Sequence, residues 1–179
     1  EVMRDPGGTN VSEQIRTLLL TPETEITPRA ELFLFAAARA QLVEKRIRPA
    51  LQRGAVVLCD RFYDSTTAYQ GGGREVATPQ WMNVVHKEST GGLVPDRTYI
   101  IDVPVAVAES RRSASTNDRM EAEAIPFRER VRVAYQEIAD REPGRVSLID
   151  GNQSLEHVEA QVQADLTRIW PGVVRGTPQ

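Results

Sequence analysis

Several stretches of the chain combine residue types that handle phosphate and a planar ring. Asp60-Arg61 follows the apolar run Ala55-Val56-Val57-Leu58-Cys59. An acid leaving a strand beside an arginine suits a magnesium ion next to a nucleotide phosphate, although a solvated pair is the commoner use of the same two residues. Phe35 and Arg39 stand four apart, on one face if the segment is helical. There the ring can stack on a base while the guanidinium bonds its edge, each worth about 1–3 kcal/mol; the plainer alternative is a core Phe and a surface Arg. Ser65-Thr66-Thr67-Ala68-Tyr69-Gln70 adds hydroxyls and an amide just downstream of Asp60-Arg61, for the same pocket or for helix capping. Arg4-Asp5-Pro6-Gly7-Gly8-Thr9 forms a phosphate-sized turn. Arg111, Arg112 and Arg119 flank a Ser/Thr/Asn stretch that suits either a basic lid over a polyphosphate or a solvated loop.

Positioning these groups requires alternating strands and helices. Val2-Met3-Arg4 reads as the tail of a strand, and Asn10 as the cap of a helix through Leu20. Thr27-Pro28 opens a long helix to about Arg53, with a kink expected at Pro49 and a stop at Gly54. Ala55 to Cys59 reads as a strand covered on both faces, Ser65 to Gln70 as a short helix, and Gly71-Gly72-Gly73 as a flexible turn. A helix from Thr78-Pro79, a strand over residues 98–103, a helix to about Arg112, a helix from about Pro126 to Arg141, a strand over residues 145–149 and a helix from Ser154 to Trp170 complete the series. The expected fold class is α/β, a doubly wound parallel sheet flanked by helices. Ligands bind such sheets beyond the carboxyl ends of the strands, where Arg4-Asp5, Asp60-Arg61 and Asp102 stand.

Composition narrows the class. With 179 residues, 40% hydrophobic and 26% charged, one domain over 1–179 is expected, and disordered, collagen-like and disulfide-scaffold classes are excluded. No apolar run approaches the ~20 residues a membrane span needs. The single Cys59, placed in a strand, has no internal disulfide partner and reads as core, which points to a reducing cytoplasm. The 22 basic residues include only Lys45 and Lys87 as lysines, so arginine, the bidentate phosphate partner, dominates. A net charge of −3 argues against a broad nucleic-acid surface. His86 and His157 lack neighbours at metal-ligand spacing.

In combination the motifs are more specific than any one of them. Asp5-Pro6-Gly7-Gly8-Thr9, Pro28-Arg29-Ala30-Glu31-Leu32, Phe35 with Arg39, and Asp60-Arg61 followed by Ala68-Tyr69-Gln70-Gly71 occur in this order. Pro95-Asp96-Arg97-Thr98, Ile101-Asp102-Val103 and Asp118-Arg119-Met120-Glu121 follow. Along essentially its whole length the chain resembles the bacterial thymidylate kinases.

That resemblance implies a P-loop kinase-like fold and transfer of the γ-phosphoryl of ATP to thymidine monophosphate, with magnesium. Phe35 would stack on thymine and Arg39 bond its edge; Thr66 and Gln70 would line the base pocket, and Tyr69 would pack against the deoxyribose. Arg61 would hold the acceptor phosphate and Asp60 help position the magnesium shell. Arg4 and Asp5 would face the reacting phosphates, with Arg112 and Arg119 as lid arginines in a segment at about 111–121. A homodimer through an apolar helical face with Leu32, Leu34, Trp81 and Val84 is implied by analogy. Three departures stand out. The family's G-x-x-x-x-G-K-[ST] loop occurs nowhere in these residues, so a chain lacking a first strand, P-loop and helix of ~35 residues is expected, inactive by itself. Asp5 stands where the family has Glu, and Ala114 where it commonly has Arg. The rivals are a kinase of another nucleoside monophosphate and a non-catalytic nucleotide-binding relative.

Overall fold

A computed structural model describes residues 1–111, 119–120 and 123–172. In chain order the elements are β1 (Val2–Arg4), α1 (Asn10–Leu20), α2 (Pro28–Leu42), a π-helical turn (Val43–Ile47), α3 (Arg48–Gln52), β2 (Leu58–Asp60), α4 (Tyr63–Thr66), a second π-helical turn (Thr67–Gly73), α5 (Pro79–Thr90), β3 (Thr98–Asp102), α6 (Val105–Arg111), α7 (Ile125–Arg141), β4 (Val146–Asp150) and α8 (Leu155–Ile169). Strands alternate with helices and pair in parallel, β1 with β2 and β3 with β4, as an α/β fold requires. Two compact units divide the chain: Glu1–Val94 with Ser113–Tyr135, and Pro95–Arg112 with Gln136–Gln179.

In the first unit, Met3, Leu42, Val43, Ile47 and Ala50 are buried together, with Ala55, Val57, Cys59, Phe62 and Leu93 packed against them. Thr9, not Asn10, caps α1: its backbone is extended and its Oγ1 accepts from the Ser12 N–H at 3.1 Å, while Asn10 already has helical geometry. In the long helix expected to kink at Pro49, the turn before that proline is widened into the π-helical turn Val43–Ile47. Proline removes a donor and crowds the carbonyl four residues before it, and a widened turn there relieves both problems without ending the helix. Strand β2 is shorter than expected and covered on one face only. Val57 and Cys59 turn to the core, whereas Val56 and Leu58 are 51% and 58% exposed. Alternation along the strand sends Val56 and Leu58 to the face opposite Val57 and Cys59.

Gly71-Gly72-Gly73 is not a flexible turn. It forms the end of the second π-helical turn, and α7 packs directly on it. A Cβ on Gly73 would stand 2.5 Å from the Phe127 ring, and one on Gly72 would collide with the Ala134 Cβ. Arg130 Nη2 donates to the Gly73 carbonyl at 2.9 Å.

In the second unit β3 and β4 pair residue for residue from Thr98↔Val146 to Asp102↔Asp150, around buried Ile100, Val146 and Ile149. Asp165 of α8 accepts from Arg97 Nε at 2.7 Å and from the Tyr99 hydroxyl at 2.9 Å, fastening the helix to β3.

Candidate active site

Parallel pairing of β1 with β2 sets Arg4 opposite Asp60, and the Asp5 N–H donates to the Asp60 carbonyl at 2.9 Å. The two strand ends that the sequence singled out are therefore adjacent. From α2, Arg39 reaches this corner with its side chain fully buried. Its Nε donates to Asp5 Oδ2 at 2.6 Å and its Nη2 to Thr66 Oγ1 at 2.8 Å, with the guanidinium 5.6 Å from the Phe62 ring centre. Arg39 is thus neither a surface residue nor a free one. Arg39 Nη1 and Asp5 Oδ1 are buried without partners. Each such atom costs on the order of 1–3 kcal/mol, so the ion pair is held in a state that a ligand atom would improve. Burial pushes the Asp5 carboxyl above the ordinary range, and the charge and hydrogen bond of Arg39 pull against that push.

Phe35 lies one turn before Arg39 on α2, half-buried. Arg61 leaves β2 with φ +64°, a left-handed conformation that costs a non-glycine residue about 1–3 kcal/mol and marks functional sites. Its guanidinium stands 5.3 Å from the Tyr69 ring centre. Tyr69 meets Phe127 and Tyr135 edge-on, at 6.1 and 6.4 Å. The Tyr135 hydroxyl donates to Ser65 Oγ at 2.8 Å, and burial raises its phenol to about 12, so it stays protonated. Thr66, Tyr69 and Gln70 sit at the junction of α4 with the π-helical turn, a widened segment of the kind found at functional sites. Asp60 is exposed at the strand end. Among the described residues no three His, Cys, Asp or Glu side chains gather into a metal cage.

Two roles expected from sequence meet different surroundings. Arg4 Nη2 is bound to Glu13 Oε2 at 2.9 Å, and Glu13 Oε1 accepts the Gly8 N–H at 2.7 Å. A carboxylate from α1 thus already fills the glycine turn at Gly8, and that backbone bond helps hold Glu13 below the ordinary Glu range. Arg119, expected as a lid arginine, donates from Nη2 to Glu31 and from Nε to the Leu19 carbonyl at 2.8 Å. Arg112 lies outside the described residues, as do residues 113–118 of the expected lid.

Glu31 and His86 are the important residues to which the sequence reading gave no role. Glu31 is 0% exposed and accepts from Gln70 Nε2 at 2.9 Å, from Arg74 Nε and Nη2 at 3.2 Å each, and from Arg119. Burial alone would raise its carboxyl, but the bonds from Arg74, Gln70 and Arg119 outweigh that and hold it below the ordinary range. Arg74 also pairs with Glu123 at 2.5 Å and lies 4.7 Å from the Phe127 ring centre. The available signal was the stripe Glu31, Phe35, Arg39 at spacing four, three chemistry-bearing residues on one helix face. His86 Nε2 meets Thr67 Oγ1 at 2.7 Å, and its ring stacks on Tyr63 at 5.0 Å.

The thymidylate kinase family model matches residues 2–162. This chain belongs to that family. It is 48% identical over 173 residues to a thymidylate kinase of Pseudomonas putida (strain GB-1), covering 96% of this chain and 80% of that protein. Against a thymidylate kinase of Bifidobacterium longum (strain DJO10A) the identity is 44% over 172 residues, 94% of this chain and 82% of the other. A solved thymidylate kinase from Ehrlichia chaffeensis superposes with a TM-score of 0.72 at 30% identity, over 92% of this chain and 78% of that one. The family's α/β kinase fold is therefore the frame in which the Arg39–Asp5–Thr66 corner sits.

Proposed function

We propose that the first unit is the monophosphate-binding side of a kinase that phosphorylates thymidine monophosphate at the expense of ATP. The observation that carries this reading is the fully buried Arg39, held by Asp5 and Thr66 with one donor open. Locked by two partners, it offers Nη1 to an acceptor on a base edge without further ordering, the preorganisation that makes recognition selective. Phe35, one turn away, supplies the stacking face, and Tyr69 borders the sugar. Arg61, presented by its left-handed backbone, takes the phosphate. Asp60 would help hold a magnesium ion, which would supply positive charge against the reacting phosphates. The exposed Asp60 carboxylate fits it as a single protein ligand, since magnesium keeps most of its shell as water and phosphate oxygen.

Phosphoryl transfer is chiefly positioning and charge stabilisation, so the work of this unit is to fix the acceptor and surround it with arginine. The ATP phosphates require a cradle of backbone amides and a lysine that none of these residues forms as G-x-x-x-x-G-K-[ST]. Binding therefore tests the reading more directly than turnover. Titration calorimetry should give measurable affinity for thymidine monophosphate that falls about tenfold or more in Phe35→Ala and Arg39→Ala. Equal affinity in all three proteins refutes the assignment. Pairing of two copies belongs to the same proposal: the exposed Phe33–Trp81 edge contact at 5.7 Å and the exposed Val84 form an apolar face on α2 and α5. Leu32, fully buried, is not part of it. Light scattering that finds only monomer at high concentration removes the pairing. No helix of the described residues is long and apolar enough to cross a membrane.

A further inference from the structure

Glu31 fixes more than two arginines. A glutamine amide has two ends of nearly the same shape, one donating and one accepting, and only the chemistry of its partner decides which way it faces. Here the partner is a carboxylate with lone pairs only, kept ionised by Arg74 and Arg119. Gln70 must therefore turn its NH2 to Glu31, as the 2.9 Å contact records, and its carbonyl oxygen the other way. Four residues earlier, Thr66 holds Arg39, whose Nη1 is a buried donor with no partner. One unit thus carries an open donor on Arg39 and an acceptor on Gln70 whose polarity Glu31 imposes.

We infer that Glu31 is a positioning residue for base selectivity. By orienting Gln70 it suits the pocket to an edge with a carbonyl beside a ring N–H, as in thymine or uracil. It disfavours an edge with an amino group beside a bare ring nitrogen, as in cytosine. The inference rests on the proposed reading of this unit as a nucleoside monophosphate site and names the residue that imposes the polarity of that site.

The test compares thymidine monophosphate with deoxycytidine monophosphate by titration calorimetry on the wild-type chain, Glu31→Gln and Gln70→Met. In Glu31→Gln the new amide can donate, which frees Gln70 to turn over. The preference for the thymine nucleotide is expected to fall about tenfold. A merely structural role lowers both affinities together and leaves their ratio unchanged, so an unchanged ratio in folded Glu31→Gln overturns the inference. Removing a buried carboxylate between two arginines endangers folding. Gln70→Met leaves those ion pairs in place and provides the second reading, with the same fall expected and an unchanged ratio again overturning it. Wild-type protein that binds neither nucleotide overturns the thymidylate reading and this inference with it. Wild-type selectivity that survives in both variants overturns this inference alone.

Discussion

Charge is buried in one unit of the molecule and left at the rim in the other. Asp5, Glu31, Arg39 and Asp64 are all buried, and every one belongs to the first unit. In the second, Arg97–Asp165, Arg168–Asp165 and Arg141–Glu137 remain in at least partial contact with water, the last pair with side chains 55% and 62% exposed. Burying an ion pair costs several kcal/mol per charge in lost solvation, and an apolar core would serve stability as well or better. The first unit therefore carries its buried charges for what they hold in place, whereas in the second Arg97–Asp165 fastens α8 beside β3 and the other two pairs lie within a single helix.

The widest gap between the units is expected at Arg39. In Arg39→Met the Asp5 carboxylate stays buried with no counter-charge and Thr66 loses its donor, a loss of about 3–5 kcal/mol. Urea denaturation of wild type and variant measures it. The double variant Asp5→Leu with Arg39→Met is expected to regain most of that stability and none of the nucleotide affinity. A loss below about 1 kcal/mol for Arg39→Met would put this pair in the same class as the rim pairs and dissolve the contrast.

A second expected effect is pH-dependent. Burial, aided by the nearby Arg39 charge, pushes the His86 imidazole down from 6.5 to about 4, against the opposing pull of Asp64. Thr67 and the Tyr63 ring complete its surroundings. In the unfolded chain His86 binds a proton near pH 6.5, and in the folded chain only near 4. The neutral histidine therefore contributes stability that is fully present above pH 6.5 and is lost as pH falls toward 4. At ~1.4 kcal/mol per pH unit, the drop from 6.5 to about 4 amounts to ~3 kcal/mol. His86→Gln should flatten this part of the stability–pH curve. A wild-type curve already flat between pH 6.5 and 4 would show that His86 is not buried as a neutral ring.

The same division governs what could be read from sequence. Alternation of strands and helices, the ends at Arg4-Asp5 and Asp60-Arg61, and the Phe35–Arg39 spacing were all legible, because period and spacing are local properties. What escaped depends on contacts between distant segments. Arg39 and Asp5 are 34 residues apart, Glu31 and Arg119 88 apart, and no window of sequence shows that either acid is buried. Gly71-Gly72-Gly73 misled for the same reason: glycine serves a flexible turn and a close approach equally well, and only the packing of α7 on that turn distinguishes them. Arg119 reads as a lid arginine because it flanks a Ser/Thr/Asn stretch and falls in the motif Asp118-Arg119-Met120-Glu121, and its bonds to Glu31 and the Leu19 carbonyl are contacts no window of sequence shows.

The smallest expected effect lies at Arg141, where the contrast is cleanest. Its Nη2 bonds Glu137 Oε2 at 3.2 Å across one turn of α7, with both side chains in water. Water already solvates each charge, so the pair repays no desolvation, and the i,i+4 arrangement is worth about 0.3–0.5 kcal/mol. Arg141→Ala loses that amount but gains from alanine's slightly better helix propensity, and the carboxylate left behind simply returns to solvent. The net change should be within about 0.5 kcal/mol and should shrink further in 1 M salt, where the Debye length is about 3 Å. Urea denaturation at low and high salt separates the two cases: Arg39→Met should stay costly in both, because its partner is shielded from ions, while Arg141→Ala should become indistinguishable from wild type. A salt-insensitive loss above about 1.5 kcal/mol at Arg141 would mean that the second unit also holds charge for a purpose, and the division drawn between the two units would fail.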